Sequence, residues 1–286
     1  MSIEQENFNK FLEDEFNLLL KREFNTVIND LRSVIEKELN EINDSINKKK
    51  TLFTNYTELI LYVDVNKEEI GENLKFDYVT LYGILGEAYF QREMYDESIN
   101  ALDKALTMSP SNILLIQRKM QALKRIDNID ELERLIFKTF KFCYTKDALI
   151  NQYMLLSYVY EKKKKYTEAS YLIYLIGVAY GLTDTLLPEI DRLQKETNKF
   201  YQCPEYETLM KFLKDNSIMT PYDLSTYYFS FYSEMMKNND ALGALDFLKC
   251  SNNVCYDKRN MKLIKKLTSA IVKQKKKDDK NKKYKA

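Results

Sequence analysis

One pattern of aromatic, small and aliphatic residues occurs twice in the chain, and it limits the fold to packed pairs of helices. Steps of three and four residues are those of amphipathic helices. A proline closes the first copy, because its ring cannot continue the helical hydrogen-bond ladder. The first copy reads Tyr82, Leu85, Gly86, Tyr89, Tyr95, Ser98, Leu102, Ala105, Leu106 and Pro110. The second reads Tyr153, Leu156, Ser157, Tyr160, Tyr166, Ala169, Ile173 and Ile176.

The small residues predict how the two helices of each pair cross. Gly86 and Ser98 are expected to face each other, which lets the two helix axes approach closely. Large residues must then fill the space beside them, as Tyr89 and Leu102 would do in a close-packed interior. In the second copy a serine and an alanine take the same two places.

This arrangement resembles the tetratricopeptide repeat family, whose unit of about 34 residues is an antiparallel helix pair. The resemblance covers residues 79–112 and 150–183, although Gly181 stands where the family usually has its closing proline. Three further copies are expected: a degenerate one at 113–146 and weak ones at 184–217 and 225–252.

Two details of these further copies can be read from single residues. Met120 faces Leu132 where the family has two small residues, so the helices of the degenerate copy should stand further apart. The first helix of the last copy should begin at Pro221 with Thr220 as its cap.

The resemblance implies an all-α fold, a right-handed superhelical solenoid of antiparallel helix pairs. Composition agrees, because six Gly and four Pro in 286 residues are too few to punctuate a many-stranded sheet. We assign residues 74–272 to this solenoid. Its last helix, 258–272, has an apolar face and a lysine face, as expected for a helix that caps the final repeat.

The N-terminal part, residues 1–73, is expected to be a separate helical unit. Apolar residues recur at steps of three and four through 5–48 without Pro or Gly, which predicts one long helix. It could pair with a second copy of the chain as a coiled coil and form a homodimer, or fold back on Thr51–Val63 as a hairpin. Four phenylalanines suit the hairpin better than a regular seam. The polar stretch Asp64–Asn73 would join this unit to the repeats.

The C-terminal residues 273–286 are strongly basic. Lys273–Lys285 holds eight lysines against two aspartates, a local charge of +6 in a chain whose formal net charge is +1. We expect this tail to be disordered. It could bind nucleic acid or acidic lipid through its charge, or simply solvate the end of the chain.

Residue usage argues against catalysis. The chain has no histidine, which removes the commonest general base, the serine triad and His-containing zinc sites. No Gly-rich phosphate loop or nucleophile motif is present, and the paired carboxylates fit solvated helix faces. We therefore predict no enzyme activity, no catalytic or metal-binding residues and no cofactor.

The cysteines and the apolar stretches bear on the cellular compartment. Cys143, Cys203, Cys250 and Cys255 show no CxxC spacing, which favours reduced thiols. The polar N-terminus has no apolar signal segment. The longest uncharged apolar stretch, Tyr171–Leu182, is shorter than the roughly 20 residues of a membrane span. A cytoplasmic protein without a transmembrane segment is expected.

The helical phase identifies the side chains that would line the inner groove. Amides there could bond a peptide backbone, and exposed apolar side chains could receive its anchors, although each position alone could be an ordinary exposed one. The candidate binding residues are Thr80, Glu87, Phe90, Gln117, Gln121, Asn151, Met154, Tyr158, Glu161, Phe229 and Met236, with Gly83 and Ser233 on the same faces.

One subset of the family binds the C-terminal carboxylate of chaperones through Lys, Asn and Arg. Of the matching positions here, only Arg118 is basic and Glu87 would repel a carboxylate, so we predict no such binding. The sequence thus predicts a non-catalytic scaffold or adaptor that binds a peptide or helix of an unidentified protein partner. The alternative is an adaptor that associates with nucleic acid or acidic membranes through the lysine tail.

Overall fold

A computed structural model describes residues 3–67 and 71–283. Over this part of the chain no β-strand is present, only an isolated bridge between Thr51 and Asn73. The predicted all-helical fold is therefore confirmed. The helices are α1 Ile3–Leu20, α2 Phe24–Asn47, α3 Tyr56–Asn66, α4 Tyr78–Gln91, α5 Tyr95–Met108, α6 Ile113–Arg125, α7 Ile129–Thr139, a 3-10 turn Phe140–Phe142, α8 Lys146–Lys162, α9 Tyr166–Tyr180, α10 Thr183–Thr197, α11 Tyr206–Asp215, α12 Pro221–Lys237, α13 Ala241–Val254 and α14 Lys258–Lys283.

The chain divides into two compact units, and the boundary between them falls between Phe142 and Cys143. In the first unit the N-terminal helices share one core with the first repeat, to which α1, α2 and α4 all contribute. In the second unit α8 packs on α9, α9 on α10, and α12 on α13.

The prediction of one long helix over 5–48 is wrong. The helix stops at Leu20, Arg22 adopts a left-handed conformation with φ of +64°, and α2 begins at Phe24. Three consecutive charged residues interrupt the apolar stripe here, and the turn lets α1 and α2 both bury their apolar faces against α4. The hairpin is thus made by α1 and α2, and the residues expected for an intermolecular seam lie largely in the core of their own chain. Of the expected joint Asp64–Asn73, residues 68–70 lie outside the described part.

Side-chain caps mark the start of several of the helices that follow. Asn112 accepts hydrogen bonds from two main-chain N–H groups at the start of α6. Thr220 and Asp223 form a reciprocal capping box at the start of α12, with Pro221 in the first helical turn. The predicted start of this helix is therefore confirmed.

The crossings within helix pairs contain the small residues that were expected there. Ser98 Oγ donates a hydrogen bond of 2.7 Å to the main-chain oxygen of Gly86, and Ser157 Oγ donates one of 3.0 Å to Ala169. Where Met120 and Leu132 occupy these places, both are fully buried, and the backbones of α6 and α7 approach over fewer residues than those of α4 and α5.

The C-terminal helix is longer than predicted. We expected a capping helix that ends at residue 272 and a disordered tail from 273, whereas α14 continues to Lys283. Lysine and glutamine are good helix formers, and this stretch has no Gly or Pro to end the helix. The last three residues of the predicted tail, 284–286, lie outside the described part.

Candidate functional site

The first candidate surface lies on α4 and α6, and we call it the α4–α6 face. Glu87 and Phe90 come from α4, and Gln117 and Gln121 from α6. All four are partly exposed, as the helical phase predicted. The face therefore places side chains of two successive first helices next to each other.

Arg118 joins the two helices of this face. Its Nε pairs with the Glu87 carboxylate, and its guanidinium carbon lies 4.5 Å from the centre of the Phe90 ring. Phe90 also makes an edge-on contact with Tyr95 at 5.5 Å. A guanidinium held between a carboxylate and an aromatic ring has little freedom to turn to another anion.

Two predicted positions of this face have local roles. The main-chain N–H of Thr80 is capped by Asp77, and the Thr80 hydroxyl donates to Asp77 Oδ2 at 2.7 Å. A Cβ on Gly83 would lie 3.0 Å from Leu115 Cδ2, so this glycine allows α6 to come close to α4. Thr80 thus takes part in the N-terminal cap of α4, and Gly83 permits the close spacing of α4 and α6.

Sequence reasoning missed the most exposed apolar side chain of α6. Leu114 is 74% exposed, and it lies on the same stripe as Gln117 and Gln121, three and seven residues later. Its phase relative to those two amides is the signal that could have identified it. An exposed leucine beside amides offers a peptide both apolar area and hydrogen-bonding groups.

The second candidate surface is one stripe of α8, which we call the α8 stripe. Asn151, Met154, Tyr158 and Glu161 follow one another at steps of three and four, and all are partly exposed. The side chains that lie between them on α8, such as Tyr153 and Leu156, are buried. Lys162 lies over the Tyr158 ring, with Nζ 5.3 Å from its centre.

Glu161 is engaged in a bidentate ion pair. Both of its carboxylate oxygens accept hydrogen bonds from Arg192 Nη2 on α10, at 2.8 and 2.9 Å. The hydrogen bond to Glu161, with those to Glu189 and Glu196, raises the pKa of Arg192 against the effect of its burial. Glu161 therefore ties α8 to α10.

The remaining predicted residues lie on α12. Phe229 is partly exposed and contacts the Tyr232 ring at 5.0 Å, while Met236 is 42% exposed. The hydroxyl of Ser233 donates to the main-chain oxygen of Phe229 at 3.1 Å. These three residues share one side of α12, within a stretch of eight residues.

A buried lysine of α6, Lys119, forms ion pairs with the helices before and after it in the chain. Lys119 Nζ pairs with Asp103 of α5 at 2.7 Å and with Glu131 of α7 at 2.8 Å. Burial lowers the pKa of Lys119, but the hydrogen bonds and charges of the two carboxylates outweigh it, so the pKa is raised. The ammonium group thus holds three successive helices together.

The described residues contain no group of three or more Cys, Asp or Glu side chains placed to hold a metal ion. None of their helices is long and apolar enough to cross a membrane.

These paired helices, with small residues at two crossings and partly exposed first-helix stripes, define a helical-repeat protein. A tetratricopeptide repeat model matches residues 79–112, the stretch that holds α4 and α5, so this part of the chain is similar to a tetratricopeptide repeat. No curated protein and no solved structure gave a match.

Proposed function

We propose that this chain is a non-catalytic scaffold that binds a peptide or helix of a partner protein on its first-helix faces. Proteins built from these repeats generally act through protein interactions, and the match at residues 79–112 supports the same role here. We also propose a cytoplasmic location, which its four free cysteines support.

The observation that carries the proposal is the exposed apolar side chain of Leu114 beside Gln117 and Gln121. A leucine that is 74% exposed on an ordered helix has apolar area to bury against a partner. The amides next to it can bond the main chain of an extended segment. On the α8 stripe, Met154 and Tyr158 provide a similar combination of adaptable and rigid apolar contacts.

The charges of these faces indicate the kind of peptide. Arg118 is neutralised by Glu87, and Glu161 by Arg192, so neither face presents an isolated charge at its centre. A segment anchored by aliphatic or aromatic side chains fits such a surface better than a segment anchored by a terminal carboxylate.

The test is a binding measurement with peptides selected from a random display library on the full chain. We expect Leu114→Ala to weaken a peptide bound on the α4–α6 face by about tenfold or more, the loss typical of a binding hot spot. Met154→Ala or Tyr158→Ala should have the same effect on a peptide bound on the α8 stripe. Leu242→Ala is the control, because Leu242 is 64% exposed but lies on the second helix of its pair. Peptides whose affinity responds only to the control substitution would contradict the proposal.

A further inference from the structure

Helix α14 concentrates positive charge to a degree found nowhere else in the chain. Residues 258–277 contain eight lysines, one arginine and no acidic residue, a formal charge of +9. Because the whole chain carries +1, all other residues together carry −8. The basic residues of this stretch are all exposed.

These charges lie mainly along one side of an ordered helix. At 100° per residue, one face carries Lys258, Lys262, Lys266, Lys273 and Lys276. Lys265 and Lys277 lie at the edges of this face, and Lys275 lies on the other side of the helix. Twenty helical residues are about 30 Å long, so the helix presents a straight row of ammonium groups. Among the described residues, no carboxylate pairs with any of these lysines, whereas Arg259 is paired with Asp257 at 2.9 Å.

The opposite side of the helix is already occupied. Met261, Leu263, Ile264, Leu267 and Ile271 are half-buried, and α14 packs on α13. The apolar stripe therefore holds the helix on its own unit and leaves the lysine face to the solvent. A ligand of this face must bind by charge, without inserting an apolar stripe.

We propose that the lysine face of α14 binds the surface of an anionic phospholipid bilayer. A straight, one-sided row of lysines matches a flat array of negative headgroups, and clusters of lysines on a helix are typical of binding to acidic lipids. Nucleic-acid sites add arginine and stacking aromatic residues, but residues 258–277 have no aromatic residue and their single arginine is engaged with Asp257. The repeat faces would then present their partner at a membrane surface.

The test is sedimentation of the full chain with vesicles. We expect binding to phosphatidylcholine vesicles that contain about 30% phosphatidylserine and none to phosphatidylcholine alone, with a steep loss from roughly 20 to 150 mM salt. The combined change Lys262→Glu, Lys266→Glu, Lys273→Glu and Lys276→Glu should weaken binding by at least about 100-fold, since each lysine near such a surface contributes about tenfold or less.

Two matched variants distinguish binding through the lysine face from an effect of the net charge of the chain. The same four positions changed to Arg should keep the binding, and circular dichroism of each variant reports whether it is folded. Lys37→Glu, Lys104→Glu, Lys138→Glu and Lys237→Glu together make the same charge change at exposed positions elsewhere, and this variant should bind within about fivefold of the unaltered chain.

Three results would overturn the inference: equal binding to both kinds of vesicle, retained binding by the α14 Glu variant, or tighter binding to duplex RNA or DNA than to anionic vesicles at the same salt. Peptide binding by the repeat faces should be unchanged in the α14 variant. Failure of this inference is therefore distinguishable from failure of the proposed function.

Discussion

Ser98 and Gly86 meet where α5 crosses α4: the serine hydroxyl donates a 2.7 Å hydrogen bond to the glycine main-chain oxygen. Ser157 and Ala169 form the corresponding bond between α8 and α9, but here the hydroxyl comes from the first helix of the pair. In both crossings the partners are twelve residues apart. A hydroxyl on either helix can thus join a pair whose backbones are close.

Substitutions of Gly86 test the packing at this crossing. A Cβ there would lie 2.7 Å from Leu102 Cγ, so Gly86→Leu should lower the free energy of unfolding by about 3 kcal/mol or more through overpacking. Urea unfolding measures the loss. Gly83→Ala is the control: its Cβ meets only the flexible end of Leu115, and it should cost less than about 1 kcal/mol. Unchanged stability of Gly86→Leu would mean that the crossing is misplaced.

Removal of the two hydroxyls tests the hydrogen bonds themselves. Ser98→Ala and Ser157→Ala should each lower the free energy of unfolding by about 0.5–1.5 kcal/mol, because the hydroxyls are buried and the bonds are made within the core. The effects should add in the double variant, since the crossings belong to different helix pairs. A stabilising effect of either alanine would contradict the role given to its bond.

The stability of the first unit should depend on the protonation of Glu15. Burial, followed by the charges of Asp30 and Asp14, raises the pKa of this carboxyl from 4.5 to about 7. Its Oε2 atom is buried and has no hydrogen-bond partner among the described residues. The protonated form is thus favoured in the folded state, so its stabilising contribution is complete below pH 4.5 and is lost as the pH rises through about 7.

Glu15→Gln should remove this dependence. At pH 8 the variant should be more stable than the unaltered chain by about 1–3 kcal/mol, and near pH 4 the two should be similar. Glu13→Gln, a change at an exposed position of the same helix, should leave the pH dependence as it is. Denaturant unfolding across this pH range measures both, and a loss of stability in Glu15→Gln at pH 8 would contradict the assignment.

Lys119 should stabilise the fold by joining α5, α6 and α7. Lys119→Met keeps the length of the side chain but removes both ion pairs, and it should cost about 1–2 kcal/mol at neutral pH because the two carboxylates remain partly solvated. Since the folded-state pKa is raised, the contribution is complete below 10.5 and is lost as the pH rises through that raised value. Lys104→Met, at an exposed position of α5, is the control in thermal unfolding and should have little effect.

An acidic C-terminal peptide of the chaperone type should not bind. Arg118 is the basic residue at the corresponding positions, and Glu87 neutralises it while Phe90 holds its guanidinium group. Calorimetric titration should show no binding at micromolar concentrations of peptide. A micromolar affinity that Arg118→Ala abolishes would show that the arginine is available after all.

The sequence predicted the helix pairs and their crossings because side-chain size and spacing encode them locally. Gly86 with Ser98, and Thr220 before Pro221, are examples in which a few neighbouring residues determine the geometry. The turn at Arg22 was missed, because it depends on the burial of α1 and α2 against a helix more than fifty residues later.

The candidate faces also combine features that local sequence predicts with features that depend on distant contacts. Helical phase located the α8 stripe, but only the three-dimensional arrangement reveals that Glu161 is committed to Arg192 and Glu87 to Arg118. These partners lie about thirty residues apart, on successive first helices, and no local pattern pairs them. Leu114, by contrast, could have been found from its phase with Gln117.

Photo-crosslinking tests most directly whether the first-helix faces hold the partner. A benzophenone side chain placed at Leu114 or Met154 of the full chain should form adducts with a selected peptide, whereas the same group at Leu242 or Val178, both exposed on second helices, should not. Mass spectrometry of the adducts gives the answer. Adducts that form only from the second-helix positions would place the peptide elsewhere and contradict the proposed binding surface.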